Sequence, residues 1–311
     1  MSSAAALLQR LAANGERSGR LELPAGYRAA SKNGLKIVFR EGYADCFDGF
    51  VLPDVSVAPP VSSDEDGGGG PQGRGSLIAM PLAGKPGERA LVRRCLRGGV
   101  PGRILGDIYL GRNGIRPLEE LKVSEHARSR GVPTPEILAI AFERVGPFFY
   151  RGAVILREIR PSADLLAEFS TFGPELSSEE VERKRLLISM LGELVARTHA
   201  AGILHADLHL KNVLASHEED GGIKLYMLDL DAARICEPLS DFGRCTNLLR
   251  LYRSVEKLNR KHTIISRSDQ LRFIQAYAAQ SAQPPGQLIA RLKRLLPVWR
   301  LKWKLSDTLG I

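Results

Sequence analysis

Residues 203–233 read ILHADLHLKNVLASHEEDGGIKLYMLDLDAA, and this stretch decides the fold. Asp207 and Asn212 stand five residues apart in a short polar segment; a turn-rich patch and an apolar run follow, and the run ends at Asp229. One carboxylate to take a hydroxyl proton, then an amide and a second carboxylate to offer hard oxygen donors, is the spacing of phosphotransfer. Three oxygen-bearing side chains at this spacing can converge on one Mg²⁺–phosphate cluster.

Upstream, Glu179–His199 repeats Leu186, Leu187, Met190, Leu191, Leu194 and Val195 at intervals of three and four, which predicts a helix buried along one stripe and running into this segment. Downstream, helices are predicted over Asp241–Asn259, Ser268–Gln280 and Gln287–Leu305. Nearer the N-terminus the pattern changes to strands. Ser76–Pro81 and Arg89–Cys95 flank AGKPGE as a hairpin, and Ile137–Ala141 with Ala153–Ile159 form a second. Between them Pro117 opens a helix over Leu118–Arg128, which Gly131 and Pro133 close. Leu35–Phe39 reads as a strand or a loop anchor. Residues 4–13 suit a short helix, broken by Gly15, Gly19 and Pro24, so order is expected from about residue 21. Pro53–Gly75, which contains DEDGGGG, reads as loop.

At 311 residues, with 44% hydrophobic and 25% charged, the chain is long enough for one large domain or two lobes with a sizeable core. Its formal charge of +9 favours an anionic partner: nucleic acid, a phosphate-rich small molecule or an acidic membrane face. A reading helix, a zinc spacing and an aromatic-basic RNA motif are all missing, so nucleic acid is not expected. Cys46, Cys95, Cys236 and Cys245 show no CxxC spacing and point to a reducing compartment. The first residues hold no continuous apolar segment of signal-peptide type, and no stretch approaches 18 apolar residues, so neither a secretory signal nor a spanning helix is expected.

HADLHLKN resembles the HxDxxxxN catalytic loop of protein-kinase-like small-molecule kinases, including aminoglycoside phosphotransferases. Taken with GRG, LVRRCLRGG, GVPTPEIL, REI, LDLDAAR and NLLRLYRSVEKL, the chain resembles the lipopolysaccharide kinases of Gram-negative bacteria over roughly residues 70 to 257. The likeness is strongest to the 3-deoxy-D-manno-octulosonic acid (Kdo) kinases. It implies an α+β, bilobal protein-kinase-like fold: a flexible segment 1–20, a small β-rich N-lobe 21–156 with one key helix and a Gly-rich insertion near 58–75, and a mostly helical C-lobe 157–311.

Carried over by position, the resemblance makes Asp207 the catalytic base and Asn212 and Asp229 the metal ligands, with Asp231 as a rival to Asp229. His205 braces the loop. His209 either touches the transferring phosphate or makes a local hydrogen bond. Arg93 takes the place of the third-strand lysine and pairs with Glu120, although Glu119 stays open because one helix position is a rotation of about 100°. Gly73, Arg74 and Gly75 approach the donor phosphates, and Leu156 falls where adenine binds. No APE motif and no activation segment follow LDLDAAR, which argues against a regulated protein kinase.

The C-terminal QLIARLKRLLPVWRLKWKL holds six basic residues between positions 291 and 304 and no acidic one. Leu288, Leu292, Leu295, Leu296, Trp299 and Trp303 repeat as one helical stripe. The stripe either lies on an anionic bilayer or packs on the core, with a kink at Pro297. The expected activity is ATP- and Mg²⁺-dependent phosphorylation of a sugar hydroxyl of the lipopolysaccharide inner core, on Kdo, at the cytoplasmic face of the inner membrane. The alternatives are heptose or another small hydroxyl substrate, or a noncatalytic protein that binds nucleotide or anionic lipid. No protein partner is expected.

Overall fold

The computed structural model describes residues 22–53, 77–95, 108–110, 115–146, 149–260, 262–281 and 283–309, and the chain divides into two compact units. Within the described residues, the first unit runs to Glu125 and resumes over Pro135–Ile159; the second takes His126–Thr134 and everything from Arg160 onward.

Strands β1 (Tyr27–Lys32), β2 (Leu35–Arg40), β3 (Leu77–Pro81), β4 (Arg89–Arg94), β5 (Tyr109–Leu110), β6 (Ile137–Arg144) and β7 (Phe149–Arg157) form an antiparallel sheet in the order β1-β2-β6-β7-β4-β3, with β5 on β7. Alternate residues point to opposite faces, as the strand period of two requires. On one face Phe39, Phe47, Leu82, Val92, Leu138 and Ile155 pack together. On the other, Val38, Ile137, Ile140 and Val154 meet Leu118 and Leu121 of helix α1 (Arg116–Ser129).

The β1–β2 hairpin is an addition to the sequence reading, which placed only Leu35–Phe39 there. Its turn is Asn33-Gly34, with φ of 50° and 83°. Positive φ at both central positions is what a primed hairpin turn needs, and Asn-Gly is its strongest sequence signal.

The second unit contains β8 (Ser162–Asp164), α2 (Leu165–Ser170), α3 (Ser178–Ala200), β9 (Ile203–Leu204), β10 (Val213–His217), β11 (Ile223–Met227), β12 (Arg234–Ile235), α4 (Asp241–Leu258), α5 (Arg267–Ser281) and α6 (Pro285–Leu309). A reciprocal cap starts α3: the Glu180 amide donates to Ser177 Oγ at 3.2 Å, and the Ser177 amide donates to Glu180 Oε2 at 2.8 Å. Leu187, Leu191, Leu194 and Val195 are buried along its stripe, whereas Leu186 is exposed. The antiparallel sheet unit and the helical unit together make the α+β fold expected from the sequence. Among the described residues, no helix is long and apolar enough to cross a membrane. None of the four cysteines is in a disulfide.

Candidate active site

The polar segment is reached from α3 through Gly202, whose φ is 73°. A Cβ at this position would stand 2.5 Å from Glu237 Cγ and 2.9 Å from the Cys236 carbonyl oxygen. No side chain fits that approach, and the left-handed backbone favours glycine in any case. The Cys236 amide then donates to the Gly202 carbonyl at 2.7 Å, and β9 pairs with β12.

Beyond β9, four hydrogen bonds close a circuit. The Asp207 amide donates to His205 Nδ1 at 3.1 Å, and His205 Nε2 contacts the Leu228 carbonyl at 2.9 Å. The Leu228 amide donates to the Asn212 carbonyl at 2.9 Å, and Asn212 Nδ2 donates to the Asp207 carbonyl at 2.8 Å. Because Nδ1 accepts, the proton of His205 resides on Nε2 and the imidazole is neutral. Burial pushes its pKa below the ordinary histidine range, against the upward pull of the Leu228 carbonyl and the Asp229 and Asp207 carboxylates.

Asp229 directly follows Leu228, so the circuit fixes where it emerges. Its φ is 53°, a left-handed conformation that Asp tolerates better than most residues. The carboxylates of Asp207 and Asp229 both lie close enough to His205 to act on its charge. Asp207 is 72% exposed at its side chain, and His209 Nε2 lies 3.3 Å from its Oδ2. Asp231 is half-buried.

In the first unit, Arg93 Nη2 forms an ion pair with Glu120 Oε1. Arg93 faces the α1 side of the sheet, where its register partner is Val154. Glu120 is buried on α1, while exposed Glu119 turns to Lys122 at 3.2 Å. That settles which glutamate meets Arg93. Leu156 sits in β7 opposite Leu91 and packs against the α1 side of the core. Gly73, Arg74 and Gly75 lie outside the described residues.

Sequence reasoning missed the residues that hold the circuit from below. NLLRLYRS carried a resemblance, but its polar members do a physical job: Asn247, Arg250 and Ser254 recur at i, i+3 and i+7 on one face of α4. Asn247 is fully buried. Its Oδ1 accepts from the His205 amide at 3.0 Å, and its Nδ2 donates to the His205 carbonyl at 2.8 Å. Arg250 Nη1 reaches the same carbonyl at 3.2 Å, and Ser254 Oγ accepts from the Leu210 amide at 3.2 Å. His199 continues the chain of contacts, with Nε2 3.3 Å from Asn247 Oδ1 and Nδ1 2.9 Å from the Tyr277 hydroxyl. Burial pushes His199 down to about 3, so it too is neutral. The sequence signal was a polar stripe on an otherwise apolar helix face.

Replacing Asn247 by Ala strips acceptors from two buried N–H groups, those of the His205 backbone and the His199 ring. At roughly 1–3 kcal/mol for each unsatisfied group, we expect a loss of about 3 kcal/mol in a denaturant titration. A loss under about 0.5 kcal/mol would mean that the contacts are dispensable.

Comparison with known proteins gives this geometry a family. Residues 71–277 match the model of the lipopolysaccharide kinase (Kdo/WaaP) family. A 3-deoxy-D-manno-octulosonic acid kinase of Actinobacillus succinogenes is 30% identical over 188 residues, covering 60% of this chain and 73% of the relative. The enzyme of the same name from Stenotrophomonas maltophilia is 30% identical over 210 residues, covering 67% and 78%. Among solved structures, WaaP in complex with acyl carrier protein aligns with a TM-score of 0.55 at 20% identity, covering 86% of this chain and 96% of that one, which supports the kinase-like fold. With a family match that takes in the hydrogen-bonded circuit and the helix beneath it, this chain belongs to the lipopolysaccharide kinase (Kdo/WaaP) family and is a kinase that phosphorylates a sugar hydroxyl.

Proposed function

We propose that this protein transfers the γ-phosphate of ATP, with Mg²⁺ bound, to a hydroxyl of Kdo in the lipopolysaccharide inner core. The observation that carries the proposal is the four-bond circuit joining Asp207, His205, Leu228 and Asn212, because it fixes the loop with the chain's own groups.

Asp207 accepts the proton of the attacking hydroxyl and orients its oxygen toward the phosphoryl group. Its exposed carboxylate stands on a backbone pinned at both N–H and C=O, which limits the positions it samples. His209, close to Asp207 Oδ2, steadies the carboxylate from the side. Asn212 and exposed Asp229 are the residues that would hold Mg²⁺. Asn212 Nδ2 is committed to the Asp207 carbonyl, so the amide presents Oδ1 on the other side. An amide oxygen with a carboxylate suits a hard cation that takes most of its ligands from phosphate and water. When bound, Mg²⁺ supplies neutralisation of the phosphate charge. Arg93, held by Glu120, restrains the donor phosphates together with Gly73, Arg74 and Gly75, and Leu156 contributes to the adenine site.

The acceptor is lipid-linked, which assigns the protein to the cytoplasmic face of the inner membrane as a peripheral enzyme. The test is transfer of labelled phosphate from ATP to a panel of Kdo-bearing, heptose-bearing and free-sugar acceptors, read by product mass spectrometry. We expect one added phosphate on Kdo. Transfer confined to heptose would reject the acceptor assignment, and no transfer to any member would reject the activity.

A further inference from the structure

The C-terminal helix was expected to turn one apolar stripe either to the core or to a membrane. In the structure that stripe faces inward: Leu288 and Trp303 are buried and Leu292, Leu295, Leu296 and Trp299 are half-buried. The helix runs on through Pro297. Contacts to α4 fix its inner side. The Arg253 guanidinium lies 5.7 Å from the centre of the Trp303 ring, Arg300 pairs with Glu256, and Arg291 Nη1 is 2.7 Å from Asp241 Oδ2.

A second apolar row remains on the outside. Val298, Leu301 and Leu305 are 67%, 61% and 56% exposed. At about 100° per residue they fall within an arc of about 60°, with exposed Arg294 inside the same arc. Exposed Lys302 borders the row on one side and exposed Lys293 and Lys304 on the other. Between residues 285 and 305 there is no acidic side chain.

We propose that this outward face of α6 docks on an anionic lipid bilayer, with Val298, Leu301 and Leu305 entering the interface and Lys293, Arg294, Lys302 and Lys304 meeting the headgroups. The inference deepens the peripheral-membrane assignment above and rests on it. Long lysine stems let the charges reach headgroup phosphates while the aliphatic row sinks below them, which is the pattern of a helix lying in the interface. The basic border complements an anionic leaflet. A protein partner is less well matched. Protein interfaces concentrate their binding energy in aromatic residues and arginine, whereas here Trp303 is turned into the core and, Arg294 apart, the outward row is aliphatic and bordered by lysines.

The test is co-flotation of the full chain with vesicles of phosphatidylcholine containing phosphatidylglycerol, at low and high salt. It compares the wild type with the triple variant Val298→Gln, Leu301→Gln, Leu305→Gln. Glutamine keeps good helix propensity, so the fold should stand. Phosphorylation of a deacylated, water-soluble Kdo oligosaccharide is measured in parallel. We expect vesicle binding by the wild type that weakens with salt, at least a tenfold loss in the triple variant, and equal rates on the soluble acceptor. Binding by the triple variant equal to wild type, or no wild-type binding, would overturn the proposal. So would a variant that still floats but changes its gel-filtration mass, which would assign the row to a second copy. If vesicle binding follows the row while neither protein phosphorylates the soluble acceptor, the docking surface stands and the kinase assignment to Kdo fails.

Discussion

Asp207→Ala is expected to lower phosphate transfer roughly a thousandfold, within the range of general-base contributions, and to leave the unfolding midpoint within about 2 °C of wild type. The two halves of that expectation come from different atoms of one residue. The amide and carbonyl of Asp207 belong to the hydrogen-bonded circuit, and alanine retains both. The carboxylate is largely exposed and lies beside half-buried His209, so deleting it removes little buried surface. Calorimetry or thermal fluorescence gives the midpoint, and single-turnover transfer gives the rate. Undiminished transfer in the variant would remove Asp207 from the chemistry. A collapse of the midpoint by more than about 5 °C would instead make the carboxylate structural.

Asp229→Gly separates function from stability more sharply. A left-handed conformation is unfavourable for a residue with a Cβ by about 1–2 kcal/mol, less for Asp, and glycine adopts it freely. The gain is partly offset by the greater freedom of glycine in the unfolded chain. The net expectation is an unfolding free energy equal to wild type or up to about 1 kcal/mol higher. Transfer should nevertheless fall roughly a thousandfold or more, because the carboxylate proposed to hold Mg²⁺ is gone. Asp229→Ala removes the same carboxylate without the relief, and should be about 1 kcal/mol less stable than the glycine variant. Should Asp229→Gly retain transfer, the ligand role would pass to Asp231, and Asp231→Ala would carry the loss.

The family was legible because its pattern is local: HADLHLKN and LDLDAAR, which carry the proposed site residues Asp207, Asn212 and Asp229, lie at fixed intervals on a loop and the strand pair that follows. The long amphipathic helix before it was readable from its period, and both hairpins from apolar runs with turn residues between them, although β7 starts at Phe149 rather than Ala153. Asn33-Gly34 was readable too, yet a single short apolar run beside it obscured the first strand. Other features needed three dimensions. Asn247 lies 42 residues from its partner His205: the polar stripe on α4 marks a buried polar face but does not say which distant backbone it holds. The choice between Glu119 and Glu120 is one step of helix rotation, decided only by where α1 rests on its sheet. In α6 the leucines of the buried stripe and of the outward row are chemically alike, so only exposure tells them apart.

Since the circuit is made from main-chain atoms at positions 207, 212 and 228 and from two side chains that do not react with substrate in the proposed scheme, the loop's contour is independent of the reacting carboxylate. On the proposed scheme, a single-codon change at Asp207 is expected to turn the enzyme into a faithful decoy, inert yet shaped to receive both ligands. Such a decoy would serve to capture the ternary complex for crystallography, and in a cell it would compete with its active sibling for acceptor rather than being cleared as misfolded.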